Sequence, residues 1–185
     1  MLFIIEGVDG GGKTTLINEL IKKFPGVTLK ITDRPTDASV GQKDKIITWY
    51  WKIIEAVQIM NGGRMRDNNF ILDRFFPSEM VYSAKRGYDG FLSQALQTVE
   101  NKVASLDHML VYCDPGLETI HERVNKRGDD YVVSADLDML HARYELFFKN
   151  TQLNKIKVDT TKPVEECLEL IQQAIKNEYP GRKSK

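Results

Sequence analysis

Gly7-Val8-Asp9-Gly10-Gly11-Gly12-Lys13-Thr14, entered from Leu2-Phe3-Ile4-Ile5 and Glu6, is the stretch that decides the fold. It fits the spacing G-x-x-x-x-G-K-[ST] of a phosphate-binding loop. Glycines let backbone N–H groups crowd around phosphate oxygens with no Cβ in the way. Lys13 brings a cation to β- and γ-phosphates, and Thr14 brings a hydroxyl to Mg²⁺. The spacing predicts a helix from Lys13 to about Phe24, whose positive N-terminus faces the same anion. Leu16, Ile17, Leu20, Ile21 and Phe24 give that helix an apolar stripe. A glycine-rich turn that binds nothing has no need of the strand, the Lys-Thr pair and the helix together.

The chain has 185 residues, enough for one domain, 1–185, with a substantial core. Lys+Arg and Asp+Glu number 26 each, so the formal net charge is zero. That balance argues against a nucleic-acid binder working through bulk positive charge. Cys113 and Cys167 have no metal-ligand spacing and read as buried thiols, which fits a reducing, cytoplasmic setting. No apolar window reaches the length of a membrane span, and Met1 leads straight into a strand, so neither a span nor a signal peptide is expected. The tail from Pro180 to Lys185 reads as frayed.

Apolar runs at Leu2–Ile5, 27–32, Phe70–Leu72, Met109–Cys113 and 155–159 read as strands. Between them lie helical patterns: about 40–60 with Ile46, Ile47, Tyr50, Ile53, Ile54 and Val57 inside, then 77–85, 91–106, 117–126, 136–149 and 163–177. Leu137, Leu140, Tyr144, Phe147 and Phe148 form the apolar side of the helix from Asp136. Strands alternating with helices predict an α/β fold, a five-stranded parallel sheet with helices on both faces in three layers. Ligands of such sheets sit at the carboxyl ends of the strands. The polar residues there are Asp9, Arg34, Asp73, Arg74 and Asp114-Pro115.

Asp73-Arg74 ends a buried strand. Beside a phosphate loop, the carboxylate suits Mg²⁺ or its water shell, and the arginine suits a bidentate clamp on an acceptor phosphate. Away from such a loop, the same pair is an ordinary surface ion pair. Arg123 and Arg127 stand one helical turn apart, before a charged Gly-Asp-Asp segment. This suits a lid, at about 123–136, that brings guanidinium groups to a transferring phosphoryl. Trp49-Tyr50-Trp51 point in different directions on a helix, so one of them can stack on a nucleobase while others fill core. His108, His121 and His141 have no metal spacing.

Four motifs, in order, give a resemblance to the thymidylate kinase family of P-loop nucleoside monophosphate kinases. Phe3-Ile4-Ile5-Glu6 through Lys13-Thr14-Thr15 resembles the family's phosphate loop. Ile71-Leu72-Asp73-Arg74-Phe75, with Ser78 and Tyr82, resembles its Asp-Arg-Tyr segment. Glu122-Arg123 through Arg127-Gly128-Asp129 resembles its lid, and Val158-Asp159-Thr160-Thr161 with Glu165 its adenine-covering segment. The resemblance implies the P-loop NTPase fold, ATP held by Gly7, Asp9, Gly10, Gly11, Gly12, Lys13, Thr14 and Thr15, and Mg²⁺ held through Thr14 and Asp73. It implies Asp9, Arg34, Trp49, Arg74 and Tyr82 on the acceptor nucleotide. The loop has Gly10 where one family branch has arginine, which implies a catalytic arginine from the lid, Arg123 or Arg127, beside Lys13 and Arg74. The family has an arginine that reads the thymine edge where Ile53 stands, and often a glutamine where Ser83 stands, so the base is the least transferable part.

The resemblance therefore implies transfer of the γ-phosphoryl of ATP to a deoxynucleoside monophosphate, dTMP giving dTDP before others. It also implies a homodimer, while the charge balance, the buried thiols and the lack of an apolar span speak for a cytoplasmic protein without nucleic-acid or membrane partners. One rival is a deoxynucleoside kinase, whose hydroxyl acceptor wants a carboxylate base such as Glu6. A nucleotide-dependent switch is the non-enzyme rival. Asn125-Lys126-Arg127 is followed by Gly128, so the guanine-reading Asn-Lys-x-Asp pattern is absent.

Overall fold

Every residue of β1 (Leu2–Glu6) is buried. A strand of this kind needs neighbours on both edges and cover on both faces. The computed structural model, which describes residues 1–24, 28–31, 43–62, 68–87, 89–127 and 134–180, supplies both. β2 (Thr28–Ile31), β3 (Asn69–Asp73), β4 (His108–Cys113) and β5 (Lys155–Val158) join β1 in the order β2-β3-β1-β4-β5. All four pairings are parallel. Parallel neighbours need crossovers, and helices provide them.

Side chains alternate along a strand, so β1 feeds two cores. Phe3 and Ile5 join Ile71, Met109 and Val111 under α1 (Lys13–Lys23) and α7 (Val164–Glu178). Leu2 and Ile4 join Phe70, Leu72 and Leu110 on the opposite face. That face is covered by α2 (Lys43–Gly62), α3 (Phe76–Tyr82), α4 (Gln94–Ala104), α5 (Leu117–Arg127) and α6 (Ser134–Asn150). Cys113 and Cys167 are free, buried thiols in the first of these cores.

The register aligns the strand ends. Ile5 lies beside Asp73 and Glu6 beside Tyr112, so the carboxyl ends of β1, β3 and β4 share one edge. The loop after β1 opens there.

Two helices expected from periodicity are interrupted. The one from Phe91 breaks into a 3₁₀ turn, Gly90–Leu92, and α4, because Ser93 is extended and its hydroxyl accepts from the Leu96 N–H. The one from Pro77 ends as α at Tyr82 and continues as a 3₁₀ turn, Ser83–Arg86, closed by left-handed Gly87. No described helix is long and apolar enough to cross a membrane. Arg34, residues 128–133 of the lid and the tail 181–185 lie outside the described residues.

Candidate active site

The loop between β1 and α1 is packed so closely at its glycines that a side chain there is excluded. Gly7 has φ 145°, and a Cβ there would stand 2.4 Å from the Cys113 carbonyl oxygen. Lys13 turns back over the loop, and its Nζ donates to the Gly7 and Val8 carbonyls at 2.9 Å each. The residue is only 8% exposed. Burial, with help from the charge of Arg74, lowers its pKa to about 8. Thr14 and Thr15 are exposed at the start of α1.

Opposite the loop stands Arg74, just past β3. It is the one described non-glycine residue with positive φ, at 70°, and its N–H donates to the Ile5 carbonyl at 3.0 Å. This backbone turn sends the guanidinium across the site. Its Nη2 bonds Asp9, and its Nη1 donates to Ser78 Oγ at 3.2 Å and Tyr144 Oη at 2.9 Å. The guanidinium also lies over the Tyr82 ring, 5.1 Å from its centroid, and Tyr82 Oη donates to Asp9 at 3.2 Å. Burial alone would raise the pKa of Asp9; Arg74 and Lys13 outweigh it and hold the carboxyl below its usual range. Asp9, Lys13, Arg74 and Tyr82 thus converge from three separate segments.

Glu6 lies beneath this cluster, 1% exposed. Its Oε1 accepts from the Phe75 N–H at 2.7 Å and the Ser78 N–H at 3.3 Å. Its Oε2 accepts from Ser78 Oγ at 2.6 Å and Tyr144 Oη at 2.9 Å. The carboxylate caps α3 and is fully occupied by these donors. It offers no free oxygen to a substrate hydroxyl.

Of the lid pair, Arg123 is already engaged. Its Nη1 donates to the Gly10 carbonyl at 3.1 Å and Thr160 Oγ1 at 3.2 Å, and its Nη2 donates to the Thr160 carbonyl at 2.9 Å. Thr160 Oγ1 in turn donates to the Gly11 carbonyl at 2.9 Å. Arg123 thereby ties the loop to the segment after β5. Arg127, the last residue of α5, is exposed. Gly10 has φ 85°, and a Cβ there would meet Val124 at 3.1 Å and the Ile120 carbonyl at 3.2 Å. An arginine at this loop position would be strained and crowded by α5.

Trp49, expected to stack on the acceptor base, is half-buried, 6.2 Å between centroids from Phe75 and 5.5 Å from Tyr50. Ile53 is half-buried against the same core. Ser83 departs from the base-side position expected of it. It is fully buried, donates to the Met80 carbonyl at 2.7 Å and accepts from the Gly90 N–H at 2.8 Å. It is used in turning the chain after α3. Arg143 reinforces that turn, donating to the Val81 and Met80 carbonyls at 2.8 and 2.9 Å.

Asp114, at the end of β4, makes a separate cluster. It accepts from the Gly116 N–H at 3.0 Å, pairs with His141 at 3.0 Å and with Lys157 at 2.7 Å. Glu145 stands near enough to complete a metal-binding trio with Asp114 and His141, but Lys157 also bonds Glu145 at 2.6 Å and supplies the cation there. For Mg²⁺, the exposed Thr14 hydroxyl and the half-buried Asp73 at the end of β3 are hard oxygen donors beside the phosphate loop, and they fit that ion.

The apolar period of α6 marks Tyr144 as core, and no spacing marks the link from Thr160 to the loop. A signal for Tyr144 existed: a tyrosine in a buried stripe needs a partner for its hydroxyl.

No family model matches the chain. A probable thymidylate kinase of Archaeoglobus fulgidus is 29% identical over 192 residues, covering 96% of this chain and 95% of that one. The YorR protein of Bacillus subtilis, solved in complex with phosphorylated GDP, matches with a TM-score of 0.73 at 22% identity, covering 99% of this chain and all of that one. Deoxyadenosine kinase from M. mycoides, solved with dCMP and dCDP, matches with a TM-score of 0.56 at 20% identity, covering 96% of this chain. At these identities the solved structures speak for the fold.

Proposed function

We propose, for a chain that belongs to the thymidylate kinase family of P-loop nucleoside monophosphate kinases and is an ATP-dependent phosphotransferase, that its acceptor is a deoxynucleoside monophosphate, with dTMP first. The observation that carries this is Arg74, held beside the phosphate loop by Asp9, Ser78 and Tyr144. Its Nε–H and second Nη2–H carry no hydrogen bond among the described residues. That is a ready fork for an acceptor phosphate.

An oxygen of the acceptor phosphate attacks the γ-phosphorus, the bond from the γ-phosphorus to the β,γ-bridging oxygen breaks, and ADP leaves. The attacking oxygen is already anionic, so no proton has to be removed. The work of this chain is alignment and charge neutralisation. Loop N–H groups and Lys13 hold the donor, Arg74 holds the acceptor, and Arg127, exposed at the end of α5, meets the transferring group. Arg123 keeps the loop and Thr160 in register. Thr14 and Asp73 would hold Mg²⁺, which neutralises phosphate charge when bound.

Transfer to a nucleoside hydroxyl is the second reading, favoured by the likeness in fold to a deoxyadenosine kinase. It needs a carboxylate base, and Glu6 is saturated by its four donors. A panel of nucleoside monophosphates and nucleosides offered with ATP, read as phosphorylated product, tests both. The expected result is dTDP from dTMP and little product from thymidine. Lys13→Ala should lower turnover by at least about a thousand-fold; preference for thymidine, or full activity in that variant, overturns the proposal.

A further inference from the structure

Tyr144 is 1% exposed on α6, a helix remote in sequence from Arg74 and Glu6. Its ring stacks on Tyr112, with centroids 5.6 Å apart and planes at 19°, so the hydroxyl has a fixed direction. That hydroxyl accepts from Arg74 Nη1 at 2.9 Å and donates to Glu6 Oε2 at 2.9 Å. Ser78 Oγ repeats the pattern, accepting from the same Nη1 at 3.2 Å and donating to the same Oε2 at 2.6 Å. The two hydroxyls are 2.9 Å apart. Each hydroxyl has one proton, and each stands in donating distance of Glu6 Oε2. Both therefore present lone pairs to the guanidinium. Buried Glu6 sets this polarity, and its charge adds to the attraction that the two oxygens exert on Arg74.

α6 is pinned to the same acceptor-side elements at two more points. Arg143 donates to the carbonyls ending α3, and Asp136 pairs with Lys85 at 2.7 Å. We infer that Tyr144 is a positioning residue for Arg74, its hydroxyl fixing the fork that meets the acceptor phosphate, and that α6 is thereby part of the acceptor site. This rests on the reading of Arg74 as the acceptor-phosphate clamp. A hydroxyl in a half-formed relay would only satisfy itself. Here it also fixes the rotation of the guanidinium about its Nε–Cζ bond, leaving Nε–H and one Nη2–H open among the described residues.

Tyr144→Phe removes the hydroxyl and keeps the ring. It should raise KM for the acceptor or lower kcat by about 10- to 100-fold, with KM for ATP unchanged. In an Arg74→Lys background, which no longer presents the fork, the same change should have less than about a two-fold further effect. Thermal melting checks that the variant is folded. An activity-free reading comes from ¹⁵N NMR of the guanidinium groups: the Arg74 Nη signals should be resolved by hindered rotation in the unaltered chain and averaged in Tyr144→Phe. Should they be identical in both, the positioning role fails. An altered Arg74 signal in a chain that phosphorylates no monophosphate would instead sink the functional reading and leave the positioning role standing. A Tyr144→Phe loss that falls equally on KM for ATP would make the role merely structural.

Discussion

Lys13 holds its ammonium group where water hardly reaches, bonded to the Gly7 and Val8 carbonyls. Burial first, then Arg74, brings its pKa down to about 8. The sign matters: with a folded pKa below the ordinary value, the free protein releases this proton at a pH where an exposed lysine keeps it. A bound triphosphate favours the charged form. Binding of ATP at pH 8 should therefore draw about half a proton from buffer through Lys13, and almost none at pH 6.5. Calorimetric titrations in two buffers of different ionisation heat measure this directly. Lys13→Arg, which keeps a charge that does not titrate, should abolish the pH 8 uptake; equal uptake in both proteins would show that another group is responsible. Residues of this kind were legible because spacing alone defines them. Asp9, Arg74 and Tyr82 were legible by motif order, and the structure brings them within hydrogen-bonding or ring-contact distance of one another. Glu6 and Tyr144 were not, because the partner of a buried carboxylate or hydroxyl depends on which distant element lies across it. No periodicity along α6 says that its tyrosine faces β3 rather than another apolar side chain.

At the scale of elements, α6 is fastened to the β4–α5 junction as well as to α3. His141 Nε2 pairs with Asp114, a carboxylate that also holds Lys157 and the Gly116 N–H. The Asp114 hydrogen bond raises the pKa of His141 against the lowering effect of its burial; Glu145 helps and Lys157 opposes. Burial would raise Asp114, but His141 and Lys157 hold it well below the carboxylate range. A histidine raised on folding gives its full stabilisation below pH about 6.5, and that stabilisation is lost as pH climbs through the folded value. Asp114 runs the other way, stabilising above pH about 3.8 and losing this as pH falls through its folded value. The pair thus works best between about pH 4 and 6.5. His141→Asn should lower the melting temperature by several degrees near pH 5.5 and by little at pH 8.5. A difference that is constant over that range would leave the ion pair without a part in holding α6. This cross-link is tertiary in origin, whereas the breaks at Ser93 and Gly87 are made by local caps. The apolar period runs on through both breaks, whereas the caps that end the turns are single hydrogen bonds.

For the whole molecule, the succession of strands and helices could be read from runs and periods, yet the lateral order of the strands could not. β1 lies third in the sheet, between β3 and β4, so the first segment of the chain is the most enclosed. Its alternating side chains tie the α1/α7 face to the face under α2–α6. If one strand serves two cores, the two should melt together. Phe3 is fully buried, with its ring centroid 4.9 Å from that of Phe24 at the end of α1. Phe3→Ala removes the ring and leaves a cavity, at about 3–5 kcal/mol. Against a total stability of about 5–15 kcal/mol this is a large loss, worth about 6–20 °C in melting temperature. The transition should stay single, because the weakened face cannot open without withdrawing β1 from the other. The phosphate loop, the proposed ATP site, opens at the carboxyl end of that same strand. At a hundred times its Kd ATP should return about 2.7 kcal/mol, most of the smaller estimate of the loss, to both proteins alike. Calorimetric melting of Phe3→Ala with and without ATP measures all of this. Two separate transitions, or a stabilisation by ATP that disappears with Phe3, would mean that the loop and the two cores are not held by one strand.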